Sequence, residues 1–245
     1  MMKLLRALSL TAMLAAPAAA APLAAPGLPD HAPAKLSDLY KVFTLAAREA
    51  FGAEVQSSQV RIVGRSWELM RDAVFPEVEL TLKPFEAQGL KFERVELLFR
   101  KLSVDPAALA AWRIKLKDVR EVQSRLVFSL RSLARKLSDA AGQDLKLQAD
   151  LDAQQLLLSG RGRFLLIPCG VEARCQPVWD EGARTLKLAA LEQSFGGHRI
   201  PRWLWWLGAS PVPAAPVLDL GPSWIPYNIQ EVHVGWDRIN LSTNW

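Results

Sequence analysis

Histidine and cysteine are scarce in this chain of 245 residues, which holds three of the first and two of the second. His31, His198 and His233 are scattered, and neither cysteine belongs to a cluster at zinc spacing, so no metal site is expected. Long apolar runs are missing as well. No segment supplies the roughly 20 unbroken apolar residues that a membrane-spanning helix needs. There is no GxSxG elbow, no phosphate-cradling glycine loop and no HExxH. Gly160-Arg161-Gly162 reads as a turn. No catalytic residues and no cofactor are assigned, and an envelope hydrolase using paired carboxylates such as Asp150 and Asp152 is kept only as a remote alternative.

What is present starts at the first residue. Lys3 and Arg6 precede the apolar run Ala7 to Leu14, and Ala18-Ala19-Ala20 followed by Ala21-Pro22 has the small-residue pattern of a cleavage site. Residues 1–21 therefore read as a secretory signal peptide, 22–34 as a flexible linker rich in proline and alanine, and 35–245 as one domain. Without a cysteine at the cleavage site a lipid anchor is not expected, and the mature protein is expected in the periplasm or another exported envelope compartment. Loss of Lys3 and Arg6 lowers the +5 of the whole chain to +3, too mild an excess to suggest nucleic acid. In an oxidising compartment Cys169 and Cys175 would either close a small disulfide loop or stay as buried free thiols.

The hydrophobic period changes several times. Leu39, Tyr40, Phe43, Ala46, Ala47 and Phe51 recur at helical spacing, with Ser37 placed to cap the start. Val60 and Ile62, then Val78, Leu80 and Leu82, alternate with polar neighbours as half-buried strands do. From Leu90 to Val104 the alternation slips phase twice, so a bulged strand or two abutting strands are expected. Trp112, Ile114 and Leu116 alternate with Arg113, Lys115 and Lys117, and Val122 to Phe128 continues as strand. Leu130, Leu133, Ala134, Leu137 and Ala141 form one helical stripe, ended by Gly142. Strand patterns return at 145–151, 156–158 and 164–167. Trp179 to Leu191 reads as half a hairpin turned by Asp180-Glu181-Gly182, Ile200 to Gly208 as a short aromatic helix, and Ile229 to Leu241 as terminal strand. The sum is an α+β fold, a long, curved, largely antiparallel β-sheet wrapped around one or two amphipathic helices.

Tryptophan is concentrated late. Seven of the nine lie from Trp179 onward, and Trp203, Trp205, Trp206 and Leu207 stand beside Arg199 and Arg202. Such rings either cap the end of a sheet or meet a membrane surface, where the ring body is apolar and its N–H stays wet. Between Trp112 and Lys136 eight basic residues face two acidic ones, a face that is either solvated or attracts anionic headgroups.

Two passages carry a resemblance. Pro84 to Leu97 followed by Leu102-Ser103-Val104-Asp105, and later the strand ending in Leu126-Val127-Phe128-Ser129, its helix to Ala141, Leu145 to Leu158 and Gly196-Gly197-His198-Arg199-Ile200-Pro201, resemble the LmeA-like (DUF2993) family of exported phospholipid-binding proteins. The likeness runs from about Lys35 over most of the chain. It implies a relative of the tubular lipid-binding folds that holds lipid in an apolar groove without catalysis. On that reading a phospholipid or similar amphiphile would sit between the Leu130, Leu133 and Leu137 stripe and the strand bearing Trp112, Ile114 and Leu116, for lipid transfer or envelope maintenance. Trp203, Trp205, Trp206, Leu207, Arg199 and Arg202 would make the transient membrane contact. The alternative is an envelope assembly protein whose tryptophan surface binds another protein.

Overall fold

A computed structural model of the chain describes residues 32–51, 55, 58–64, 69, 71–141, 145–164, 167–203, 212 and 215–243. The segment expected to be a signal peptide and most of the expected linker lie outside them, as do Trp205, Trp206 and Leu207. Within them the fold is α+β, with antiparallel strands in two sheets and a minority of helix.

The first helix, α1 (Leu36–Phe51), buries Leu39, Val42, Phe43, Ala46, Ala47 and Phe51 along one stripe. Its start is held by Asp38 rather than Ser37, because the Asp38 carboxylate reaches back to accept from the N–H groups of Ala34 and Lys35. The larger sheet follows the order β1 (Ser58–Val63), β2 (Val74–Leu82), β4 (Leu90–Val104), β5 (Leu116–Ser129), β13 (Arg238–Ser242), β12 (Glu231–Val234), with β3 (Phe85–Ala87) pairing β4. The smaller follows β10 (His198–Arg199), β9 (Thr185–Phe195), β8 (Ile167–Asp180), β7 (Gln155–Phe164), β6 (Leu145–Asp150), with β11 (Leu218–Asp219) pairing β9.

The phase slips in Leu90–Val104 resolve as one continuous strand. One register shift falls between Phe92 and Arg94, and another between Ser103 and Val104. Between them the face changes with no register shift, at the one level where Lys101 has no partner in either ladder. Phe75 and Val78 in β2, Phe99 and Leu102 in β4, and Val119 and Val122 in β5 each lie three apart yet all turn inward. The switch occurs together at Pro76, Lys101 and Arg120, and Lys101 takes a left-handed φ of 51° to make it. Adjacent strands bending at one level bend the sheet itself.

Trp112 to Leu116 departs from expectation. Asp105 accepts from the Ala107 N–H and starts a short helix, α2 (Pro106–Ala110), with proline in its first turn. Trp112 terminates it in the left-handed region at φ 60° with its ring buried, and the strand begins only at Leu116. A left-handed tryptophan is costly, and the burial of its ring offsets the cost.

A further helix, α3 (Leu130–Ala141), buries Leu130, Leu133 and Leu137. It bridges the two sheets: Ser132 Oγ accepts from Lys91 N–H, and Lys136 Nζ donates to the Val217 carbonyl at 2.8 Å. A second bridge is the Gln88 amide, which pairs with both backbone groups of Asp219 in β11. Irregular chain from 220 to 230 then crosses the inner face of the large sheet. Trp224 stacks on Phe99 with ring centroids 5.8 Å apart and donates its indole N–H to Ala46 of α1 at 2.8 Å. One hydrophobic core therefore joins both sheets, helices α1 and α3 and this crossing segment.

The terminal segment is tied in by a buried polar pair. Thr243 Oγ1 accepts from the Ser124 N–H at 3.0 Å and donates to the Asn228 carbonyl at 2.6 Å. Thr243→Val keeps the shape and strands both partners, so a loss of about 1–3 kcal/mol is expected in urea unfolding.

Candidate functional site

The residues assigned to an acyl groove fill the core. Leu133 is 0% exposed, Leu130, Leu137, Trp112 and Ile114 are all buried, and Leu116 packs against them half-buried. A side chain with no accessible surface has no water-sized space beside it, so this stripe is packed interior in the structure, not groove. Of the two cysteine alternatives, the disulfide is the one the strand geometry does not allow. Both lie on β8, six residues apart along an extended strand, which separates them by about 20 Å. A disulfide needs Cα atoms within about 7 Å, and Cys175 is a buried free thiol whose Sγ–H points at the Leu156 carbonyl.

The basic stretch does not form one patch. Lys115, Lys117 and Arg120 lie at one end of β5 and Arg131 and Arg135 beyond the other, roughly 40 Å of strand apart. In between, the outward side chains knit into ion pairs with neighbouring strands. Arg61 pairs with Glu79, Arg100 with Glu77 and Glu121, and Arg125 with Glu96, at 3.1 to 3.9 Å. Hydrogen bonds from Arg71, Arg100 and Lys187 hold the carboxyls of Asp72, Glu121 and Asp180 below their usual range. Those carboxylates stay ionised as ion-pair partners, the opposite of what a general acid requires.

Two tryptophans stand out on the surface. Trp203 is 66% exposed and Trp236 is 81% exposed. The first follows the β9–β10 hairpin, whose two-residue turn is Gly196-Gly197 at φ 56° and 83°. Two successive positive φ angles are what a tight hairpin turn of this hand demands, and glycine meets the demand without strain. The hairpin is extended by Ile200 N–H donating to Gln193 at 2.9 Å, and Arg202 and Trp203 follow in a short helical turn. Arg199 projects from it, 79% exposed at its side chain and paired to Glu192 at 2.9 Å. Arg199, Arg202 and Trp203 are thus all exposed within five residues of one another, on β10 and the chain that leaves it, running away from the Gly196-Gly197 turn.

No family model, curated protein or solved structure matches the chain. The function must be read from its own surface.

Trp236 was not singled out by any sequence pattern. It sits at the turn between β12 and β13 and lines two concavities, of about 290 and 790 Å³. A third, of about 400 Å³, lies along the ion-paired outer face between Glu77 and Arg125. None of the three is lined by the predicted groove residues. Among the described residues no group of three or more potential metal ligands forms, and no helix is long and apolar enough to cross a membrane.

Proposed function

We propose that this chain is an exported lipid-handling protein that docks transiently on membrane surfaces through the exposed return strand of the β9–β10 hairpin and the turn after it, which bear Arg199, Arg202 and Trp203. The observation that carries the reading is the 66% exposure of Trp203 beside two exposed arginines. An indole left in water just beyond a hairpin strand gains by entering the headgroup region, where its ring is covered and its N–H remains hydrated. Each arginine near an anionic surface adds on the order of 1 kcal/mol. Headgroup and this exposed segment, rather than the leucine stripe of α3, form the contact in this reading, since that stripe is occupied by the core.

Flotation with phosphatidylcholine vesicles and with vesicles containing phosphatidylglycerol tests it. Binding is expected to favour the anionic vesicles, to weaken with salt, and to fall about tenfold in Trp203→Ala, equivalent to ~1.4 kcal/mol of interfacial burial. Protein that ignores both vesicles, yet is captured by an envelope protein through Trp203, would replace this reading with the assembly-factor alternative.

A further inference from the structure

We propose that the two clefts flanking Trp236 form a binding site for a neutral glycan chain, with the indole as its stacking platform. The platform is fixed before any ligand arrives. Gly235 N–H donates to the Arg238 carbonyl across the turn at 2.8 Å. On one side Val234 N–H donates to Gln154 Oε1 at 2.8 Å, anchoring the hairpin to the β6–β7 turn. On the other, Leu130 N–H donates to the Asp237 carbonyl at 2.8 Å, anchoring it to the start of α3. A tip held from both sides presents its ring with little ordering left to lose on binding.

The chemistry of the walls selects the ligand. A pyranose ring has one face of C–H groups and a rim of hydroxyls that both donate and accept. The C–H face suits an exposed indole, and the rim needs donors and acceptors together. The smaller cleft offers Gln148, Gln155 and Asp152 beside Arg174, and the larger offers His233 and Asn240 beside Arg94. Asn240 supplies a further sign. Its Oδ1 is shielded from water and accepts no hydrogen bond, so an acceptor stands unanswered in the wall of the larger cleft. A small turn of this partly exposed amide would offer it to a hydroxyl.

Charge argues against a polyanion. The four arginines of the two clefts are matched by Glu93, Asp150, Asp152 and Asp237. Arg238 is itself engaged, 2.8 Å from Asp237 and 3.8 Å from Glu93. A balanced, ion-paired rim has no net field to concentrate phosphates, and its polar walls are unlike the surroundings of a membrane anchor. Volumes of 290 and 790 Å³ are on the scale of small-ligand sites.

Calorimetry of the purified protein with chitohexaose, cellohexaose and maltohexaose at about 5 mM, a range reaching weak millimolar affinities, is the test. At least one hexasaccharide is expected to bind, with affinity lowered at least about tenfold in Trp236→Ala and partly kept in Trp236→Phe. Unchanged thermal unfolding of Trp236→Ala separates a lost contact from a lost fold. Three silent sugars, sugar binding indifferent to Trp236, or loss of vesicle flotation in place of sugar binding would each overturn the proposal. Neither sugar outcome depends on whether Trp203 meets lipid.

Discussion

Phe92→Ala is expected to destabilise the protein by about 3–5 kcal/mol, a large part of the roughly 5–15 kcal/mol that holds most domains folded. Phe92 has no accessible surface and sits where four elements meet. Its ring stacks on Phe85 of β3 at 5.1 Å and lies edge-on to Phe51 of α1 at 5.9 Å and Phe128 of β5 at 5.8 Å. Its own strand is β4, at the first of the two register shifts. Truncation therefore opens a cavity that no flexible neighbour can fill, and it removes aromatic contacts worth about 0.5–1.5 kcal/mol each beyond area burial. Phe92→Leu fills most of the volume and is expected to cost less than about 2 kcal/mol. Urea unfolding followed by circular dichroism reads both variants. A Phe92→Ala midpoint near that of the parent would mean that the cluster is looser than its geometry says.

The core was legible because most of it is periodic. The stripe through Leu39, Phe43 and Phe51 reappears as α1, that through Leu130, Leu133 and Leu137 as α3, and Val78, Leu80 and Leu82 all point inward. Alternation cannot say how strands are grouped, so division into two sheets was not visible. Trp112, Ile114 and Leu116 misled for a related reason. A turn residue, an extended residue and a strand residue can all bury their side chains while mimicking one strand. The signals for α2, Asp105 as cap and Pro106 in the first turn, were present, but five residues are too few for a helical period to register.

The crossing segment was hidden for a different reason. Trp224, Ile225 and Tyr227 pack inward from irregular chain, which has no period to detect. Surface sites are less legible still. That Trp224 is partly buried while Trp236 is 81% exposed depends on which elements lie above each ring, and one-dimensional spacing does not carry that information. The cysteines show the same limit. Closeness in sequence suggested a loop, but an extended strand converts six residues into distance.

That free thiol leads to the second large effect, a fall in stability at alkaline pH. Burial pushes the Cys175 pKa from 9.0 up to about 12. Between those values the unfolded chain gives up a proton that the native state keeps. The unfolded state then binds fewer protons than the native one, so stability falls as pH rises, by about 1.4 kcal/mol per pH unit and on the order of 4 kcal/mol in all. Tyr227, fully buried, is raised above its ordinary 10.0 by the same cause and deepens the fall at higher pH. Lys136 works in the other direction. Burial lowers its pKa, so the unfolded chain holds that proton longer, and stability rises as pH approaches 10.5. Because the cysteine window opens at 9.0, before that of Tyr227 at 10.0, urea midpoints are expected to decline from there upward. Cys175→Ala should carry a small constant cost for the lost packing and a flatter slope just above pH 9, where Cys175 acts before Tyr227. A parent protein with a flat profile through this window, or a variant with an unchanged slope, would show that Cys175 does not titrate as a buried thiol. A disulfide to Cys169 would produce that flat profile, so the pH series also tests the strand geometry that keeps the two sulfur-bearing residues apart.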